Sequence, residues 1–86
     1  MIEQQVTITN PSGLHARPAS LVTSFVKTYD GKVEIIRDTT TCNLKSILSL
    51  LSMGLHQGAE VTLRVDGPNE EQYMQSLVEF IQNLEG

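Results

Sequence analysis

A proline has no backbone N–H and a φ held at about −65°, so it is accommodated in the first turn of a helix and disrupts any later turn. Pro18 therefore fixes the start of a helix at about Ala16. Downstream, Ala19, Val22, Val26 and Tyr29 recur at spacings of three and four, the apolar stripe of a helix lying on a core. Lys27 falls near the end of this segment, and Asp30-Gly31 stop it.

That start places His15 at or just before the N-cap, beside the free N–H groups of Ala16 and Arg17. Unpaired donors and the positive end of the helix dipole attract an anion there. Arg17 adds a permanent cation with a planar fork of donors suited to phosphate oxygens. Gly13 lets the preceding loop turn sharply. The seven residues from Gly13 to Ala19 thus read as a site that holds a phosphate. A neutral ring nitrogen on His15 is the form a nucleophile needs. A phosphorylated ring carries a dianion facing backbone donors and Arg17, which lengthens the life of a labile bond without making it unreactive.

Elsewhere the chain alternates with the period of a strand. Val6 and Ile8 mark a first strand, Val33 and Ile35 a second, Thr40, Cys42 and Leu44 a third, and Val61, Leu63 and Val65 a fourth. The turn between the second and third, Arg37-Asp38-Thr39-Thr40, contains no glycine, so a loose turn is expected rather than a tight mirror-image one. A last helix opens with Asn69 as N-cap and Gln72 three residues on, and places Met74, Leu77, Ile81 and Leu84 on one face. The order is βαββαβα. One-sided alternation implies an antiparallel sheet with helices on one face and solvent on the other, an α+β fold. With 86 residues and no repeat or linker, residues 1–86 are expected to form one domain with a small core.

A short middle helix carries a second signal. After Ser46 come Ile47, Leu48, Leu50, Leu51 and Met53 before Gly54, too many large apolar residues for one buried stripe. By spacing, Leu50 and Met53 share the buried face, which leaves Ile47, Leu48 and Leu51 as an outward patch awaiting a partner. Burial on two sides, as in a homodimer, is the alternative. Ser46 is the N-cap of this helix. Phosphorylation there would add about −1.5 to −2 charges at a helix start able to hold them, at the edge of the patch.

The bulk properties narrow the field. Ten acidic and six basic residues give a net charge of −4, with no general footprint for nucleic acid. Cys42 is the only cysteine, so no internal disulfide forms, as befits a reducing compartment. His15, His56 and Cys42 show no zinc-ligand spacing, and no metal or cofactor is expected. His56 reads as a surface residue. Ser12 and Asn10 are turn formers that could also bond the ring or a phosphate, and Lys27 and Lys45 offer local positive charge. No apolar run or basic-then-apolar start suggests a membrane span or secretion signal, so a cytoplasmic protein without membrane insertion is expected.

The string from Gly13 to Ala19, followed by Asn43-Leu44-Lys45-Ser46-Ile47, Ser52-Met53-Gly54 and Gly58-Ala59-Glu60-Val61, resembles HPr, the histidine-containing phosphocarrier family of the phosphoenolpyruvate-dependent sugar phosphotransferase system. The resemblance covers essentially the whole chain in register. It implies an open-faced β-sandwich, a four-stranded antiparallel sheet with three helices on one face. It implies that His15 accepts a phosphoryl group from enzyme I and passes it to enzyme IIA domains, with Arg17 stabilising the phosphate and Ser12, Ala16 and Arg17 around it. It further implies that Ser46 is a regulatory site for an ATP-dependent HPr kinase/phosphorylase, as in the Gram-positive branch. Ile47, Leu48 and Leu51 then dock enzyme I, enzyme IIA and the kinase, and a catabolite-control transcription factor is a further candidate partner. Such a chain is a carrier without turnover of its own.

Thr39 and Thr40 replace a glycine and lysine common in that hairpin, and Ser49 stands where some relatives have lysine or glycine. These departures concern partner preference and leave His15 and Arg17 untouched. Two other readings are a regulatory-only relative acting through phospho-Ser46, of a kind that typically lacks the histidine, and a small acyl-phosphate hydrolase. The hydrolase would need a second polar constellation to position water, and the sequence presents none.

Overall fold

In the computed structural model, described over residues 1–84, the first helix, α1, spans Ala16–Val26 and carries Pro18 in its first turn. Of the expected 1–86 unit, the last two residues lie outside the described ones. The helix stops short of Asp30: Lys27 is its C-cap, and the Tyr29 N–H closes a turn on the Val26 carbonyl at 3.1 Å. Tyr29 has left the helix to bond and stack elsewhere. Its hydroxyl donates to the Pro68 carbonyl at 2.7 Å, and its ring stacks on Tyr73 with centroids 4.0 Å apart. Ala19, Val22 and Val26 are buried as their spacing requires.

Strands β1 (Ile2–Thr7), β2 (Lys32–Arg37), β3 (Thr40–Asn43) and β4 (Glu60–Asp66) form one sheet in the order β1-β4-β2-β3, antiparallel throughout. The register sets Val6 opposite Val61, Val33 opposite Val65 and Ile35 opposite Leu63, and all six are buried. Side chains one residue out of phase point the other way. There Arg64 faces Glu3 on one side and Glu34 on the other, pairing with them at 2.8 and 3.4 Å. Pairs this exposed are screened by solvent and add little, so they mark the solvent face more than they stabilise it. Ile8 and Leu44 fall just beyond β1 and β3 but are fully buried, their N–H groups bonding to Ala59 and Val33 at 2.8 and 2.9 Å.

The β2–β3 hairpin corrects the expected loose turn. Arg37 pairs with Thr40, leaving only Asp38 and Thr39 in the loop, and Asp38 takes φ +56°. Aspartate is one of the few residues besides glycine that enter the left-handed region at modest cost, so the tight turn forms without glycine.

Helices α2 (Ile47–Ser52) and α3 (Glu70–Gln82) complete the α+β fold, which is an open-faced antiparallel sheet with three helices. In α3, Met74, Leu77 and Ile81 are buried, and Leu84 packs on the core from beyond the helix end. Asn69 stands at the N-cap without capping: its backbone is left-handed and its side chain makes no cap bond. Glu70 and Glu71 supply the negative charge in the first turn that complements the dipole. Phe25 of α1 stacks on Phe80 at 4.3 Å and on Tyr73 at 5.9 Å, two ring pairs that join α1 to α3, each stabilising by about 0.5–1.5 kcal/mol beyond burial. No helix among the described residues is long and apolar enough to cross a membrane.

Candidate functional site

His15 is the N-cap of α1, with an extended backbone at φ −80° and ψ −168°, and its side chain makes no cap bond. Its carbonyl is engaged instead, accepting from the Ala19 N–H at 2.7 Å. The exposed ring therefore stands free of the helix it begins. Because Pro18 has no N–H, the free amides of this helix start are those of Ala16 and Arg17. Arg17 is exposed; with Leu21, Phe25 and Phe80 it lines an open groove of about 970 Å³ between α1 and α3. Its guanidinium makes no ion pair among the described residues.

The loop before His15 is tightly specified. Gly13 N–H donates to the Asn10 carbonyl at 3.0 Å, which turns the chain over Pro11 and Ser12. The Asn10 side chain, only 2% exposed, donates from Nδ2 to the Gly13 carbonyl, while its Oδ1 is buried without a partner. Asn10 is thus a buried brace for the turn. Ser12 is exposed at the crown and makes no hydrogen bond among the described residues.

Gly13 does more than turn the chain. At φ +65°, a Cβ on it would lie 2.2 Å from the Leu55 carbonyl oxygen and 2.7 Å from the His56 Cα. The next amide, Leu14 N–H, donates to that same Leu55 carbonyl at 3.0 Å. Two backbones are in contact here. The contact brings in a residue that sequence reasoning left on the surface unassigned: His56 sets its ring 6.5 Å from that of His15, centroid to centroid, at 66°. The two histidines are 41 positions apart in the chain, and only the long-range pairing reveals them as neighbours.

Helix α2 follows from the same local rules. Ser46 caps it, its Oγ accepting from the Ser49 N–H at 3.3 Å. Leu50 and Met53 are buried, and Leu48 and Leu51 are 77% and 37% exposed. Ile47 corrects the expected patch: it is half-buried and packs against the core. In the first turn of a helix only six residues long, its side chain is directed back over the preceding turn. Leu21 of α1, 44% exposed, belongs to a different surface, the groove it lines with Arg17, Phe25 and Phe80. Arg37 ties the far end of α2, donating to the Met53 carbonyl at 2.5 Å and the Gly54 carbonyl at 3.5 Å. Lys45 spends its ammonium on the Tyr29 carbonyl at 2.6 Å.

A family model described as "PTS HPr component phosphorylation site" matches residues 2–83. The phosphocarrier protein HPr of Treponema pallidum is 35% identical over 83 residues, covering 96% of this chain and 94% of that protein. The HPr-like protein Crh of Halalkalibacterium halodurans is 34% identical over 82 residues, covering 95% and 98% respectively. Among solved structures, that of HPr-C-His from Thermoanaerobacter tengcongensis is similar with a TM-score of 0.89 at 35% identity, covering 95% of this chain and 92% of that one. An exposed histidine at a helix start, the open-faced sheet behind it and this likeness along nearly the whole length agree, and the chain belongs to the HPr family of phosphocarrier proteins.

Proposed function

We propose that residues 1–86 act as one cytoplasmic domain that carries phosphoryl groups on His15, taking them from enzyme I and delivering them to enzyme IIA domains. The observation that carries this reading is the free His15 ring at the start of α1, unused as a cap and exposed to an incoming partner. In the transfer, the lone pair of a neutral ring nitrogen attacks phosphorus as its bond to the donor breaks, and the reverse geometry delivers the group onward. The Ala16 and Arg17 amides and the Arg17 guanidinium oppose the dianion, and Ser12 stands at the rim of the same loop. Leu48 and Leu51, with Ile47 at their buried edge, form the docking surface. The chain has no turnover of its own, because a carrier is regenerated only by its partners.

The native chain, incubated with enzyme I, magnesium and phosphoenolpyruvate, is expected to gain one acid-labile phosphate by intact-mass analysis. No gain with an enzyme I shown to be active on another HPr would end this reading. A regulatory-only role draws on the similarity to Crh and on the Ser46 cap. It requires the opposite pattern, an acid-stable phosphate from the kinase and ATP, and none from enzyme I.

Ser46 is the regulatory site of this proposal, addressed by an HPr kinase/phosphorylase, and its phosphorylated form is the one offered to a catabolite-control transcription factor. A negative charge at this cap sits beside exposed Leu48 and must be desolvated when a partner covers the patch. Ser46→Asp is expected to slow transfer from enzyme I at least tenfold, a cost of about 1.4 kcal/mol, and to leave the His15 ring chemically competent. Ser46→Ala should transfer normally and lose about 1 kcal/mol of stability with the cap. Stopped-flow transfer rates decide the matter, and an unchanged rate in Ser46→Asp would remove the regulatory role.

A further inference from the structure

We infer that His56 is a second contact for the phosphoryl group, an imidazole that takes up a proton when His15 is phosphorylated and donates an N–H to a phosphoryl oxygen. This rests on the carrier reading above and adds to it a residue that reads the state of His15.

The two rings meet edge to face with centroids 6.5 Å apart, both exposed. Neither ring makes a hydrogen bond to any other of the described residues, so their approach is not the product of their own attraction. It is set by the backbones beneath them. Leu14 N–H bonds to the Leu55 carbonyl at 3.0 Å, Gly58 N–H to the Ile8 carbonyl at 2.7 Å, and Gln57 Nε2 to the Thr9 carbonyl at 3.2 Å. These three bonds bracket His56 and hold its loop against the one that carries His15. The rings make no hydrogen bond to each other, and at this separation an oxygen of a phosphoryl group carried on His15 would come within reach of the His56 ring.

The elements bounding these loops carry Glu3 on β1, Arg17 on α1, and Glu60, Arg64 and Asp66 on β4, while α2 carries no charge and Arg37 reaches from β2 to the Met53 and Gly54 carbonyls. The loops themselves, residues 9–14 and 54–59, contain no ionisable side chain other than His56. All these charges are the same in both states, and the dianion is the one that changes. An opposite charge arriving within about 4–6 Å favours the protonated ring by one to three units of pH. Coupling of this kind is reciprocal: whatever phosphate does for His56 protonation, the protonated His56 does for phosphate retention. When the group leaves, the contact is lost and the proton returns to water.

The test follows the ring-proton resonances of both histidines through a pH titration, in the free chain and in the chain phosphorylated by enzyme I and phosphoenolpyruvate. The His56 midpoint is expected to rise by about one unit on phosphorylation. By linkage, as pH rises through the two His56 midpoints the phosphorylation equilibrium of the native chain against enzyme I should then fall by about tenfold more in total than that of His56→Gln. The glutamine keeps a hydrogen-bond donor at an exposed position and removes only the titration, so a purely structural role would leave the two pH profiles parallel. An unmoved His56 midpoint in a chain that mass analysis shows to be phosphorylated overturns this inference alone. Absence of any phosphate with active enzyme I overturns the carrier reading, and this inference with it.

Discussion

His15→Ala is expected to abolish acid-labile phosphate uptake from enzyme I while changing stability by less than about 0.5 kcal/mol. The separation of the two effects follows from how the side chain is used. The ring is exposed and caps nothing, and the bond that starts α1 is made by the His15 carbonyl, which alanine also supplies. The chemistry has no such substitute. Phosphorus must be met by a neutral nitrogen lone pair held next to unpaired donors, and the loop's other polar side chains are those of Thr9, Asn10 and Ser12. The Asn10 amide is committed to Gly13, and a hydroxyl with no base beside it is a poor nucleophile. His56 lies nearest in chemistry, with its ring 6.5 Å from that of His15, but it stands in a loop without a helix start behind it. Intact mass before and after acid treatment, alongside thermal unfolding of both chains, reads both effects at once. Phosphate retained by His15→Ala would move the acceptor to His56, and the double variant would then be the one to fall silent.

Much of this site was legible in the sequence because its determinants are local. Pro18 fixes the start of α1, and the start of α1 fixes where His15 and the two free amides stand. Ser46 and the spacing of Leu50 and Met53 work the same way in α2. What could not be read belongs to pairings between distant segments. Nothing near His56 in sequence indicates a neighbour, since its place depends on the Leu14 to Leu55 bond. The Arg37 and Lys45 side chains close on backbone carbonyls 16 residues away, whereas in sequence Arg37 reads only as a turn residue and Lys45 only as local positive charge. Two local details also differ, the turn at Asp38 and the missing side-chain bond of the Asn69 cap, and for a common reason. Asp38 and Asn69 both adopt positive φ, a conformation their short polar side chains tolerate. In the first case this permits a tight hairpin, and in the second it turns the expected cap away from its helix. Ile47 was assigned to the surface by periodicity, which holds over several turns but is weak at the first residue of a short helix.

Gly13→Ala is expected to be among the most damaging single-methyl changes in the chain, lowering stability by about 3 kcal/mol and the melting temperature by roughly 15 °C. Two costs combine. Alanine at φ +65° pays about 1–2 kcal/mol for the left-handed backbone. The new methyl must also displace the Leu55 carbonyl oxygen, 2.2 Å from the Cβ position, and the His56 Cα at 2.7 Å, both main-chain atoms that cannot rotate aside. Gly54 separates these contributions: its φ is +61°, but nothing lies within 4 Å of its Cβ position. Gly54→Ala should therefore show the backbone term alone, about 1–2 kcal/mol. The functional consequence differs in the same way. Pushing the two loops apart moves His15 off the start of α1 and away from His56, and a displacement of about 1 Å can cost on the order of a hundredfold in transfer rate. Gly13→Ala should thus transfer slowly even at temperatures where it is fully folded, while Gly54→Ala keeps its rate. Equal losses of stability in the two variants would mean that the 13–15 and 54–58 loops are free to separate, and that the position of His15 is set by α1 alone.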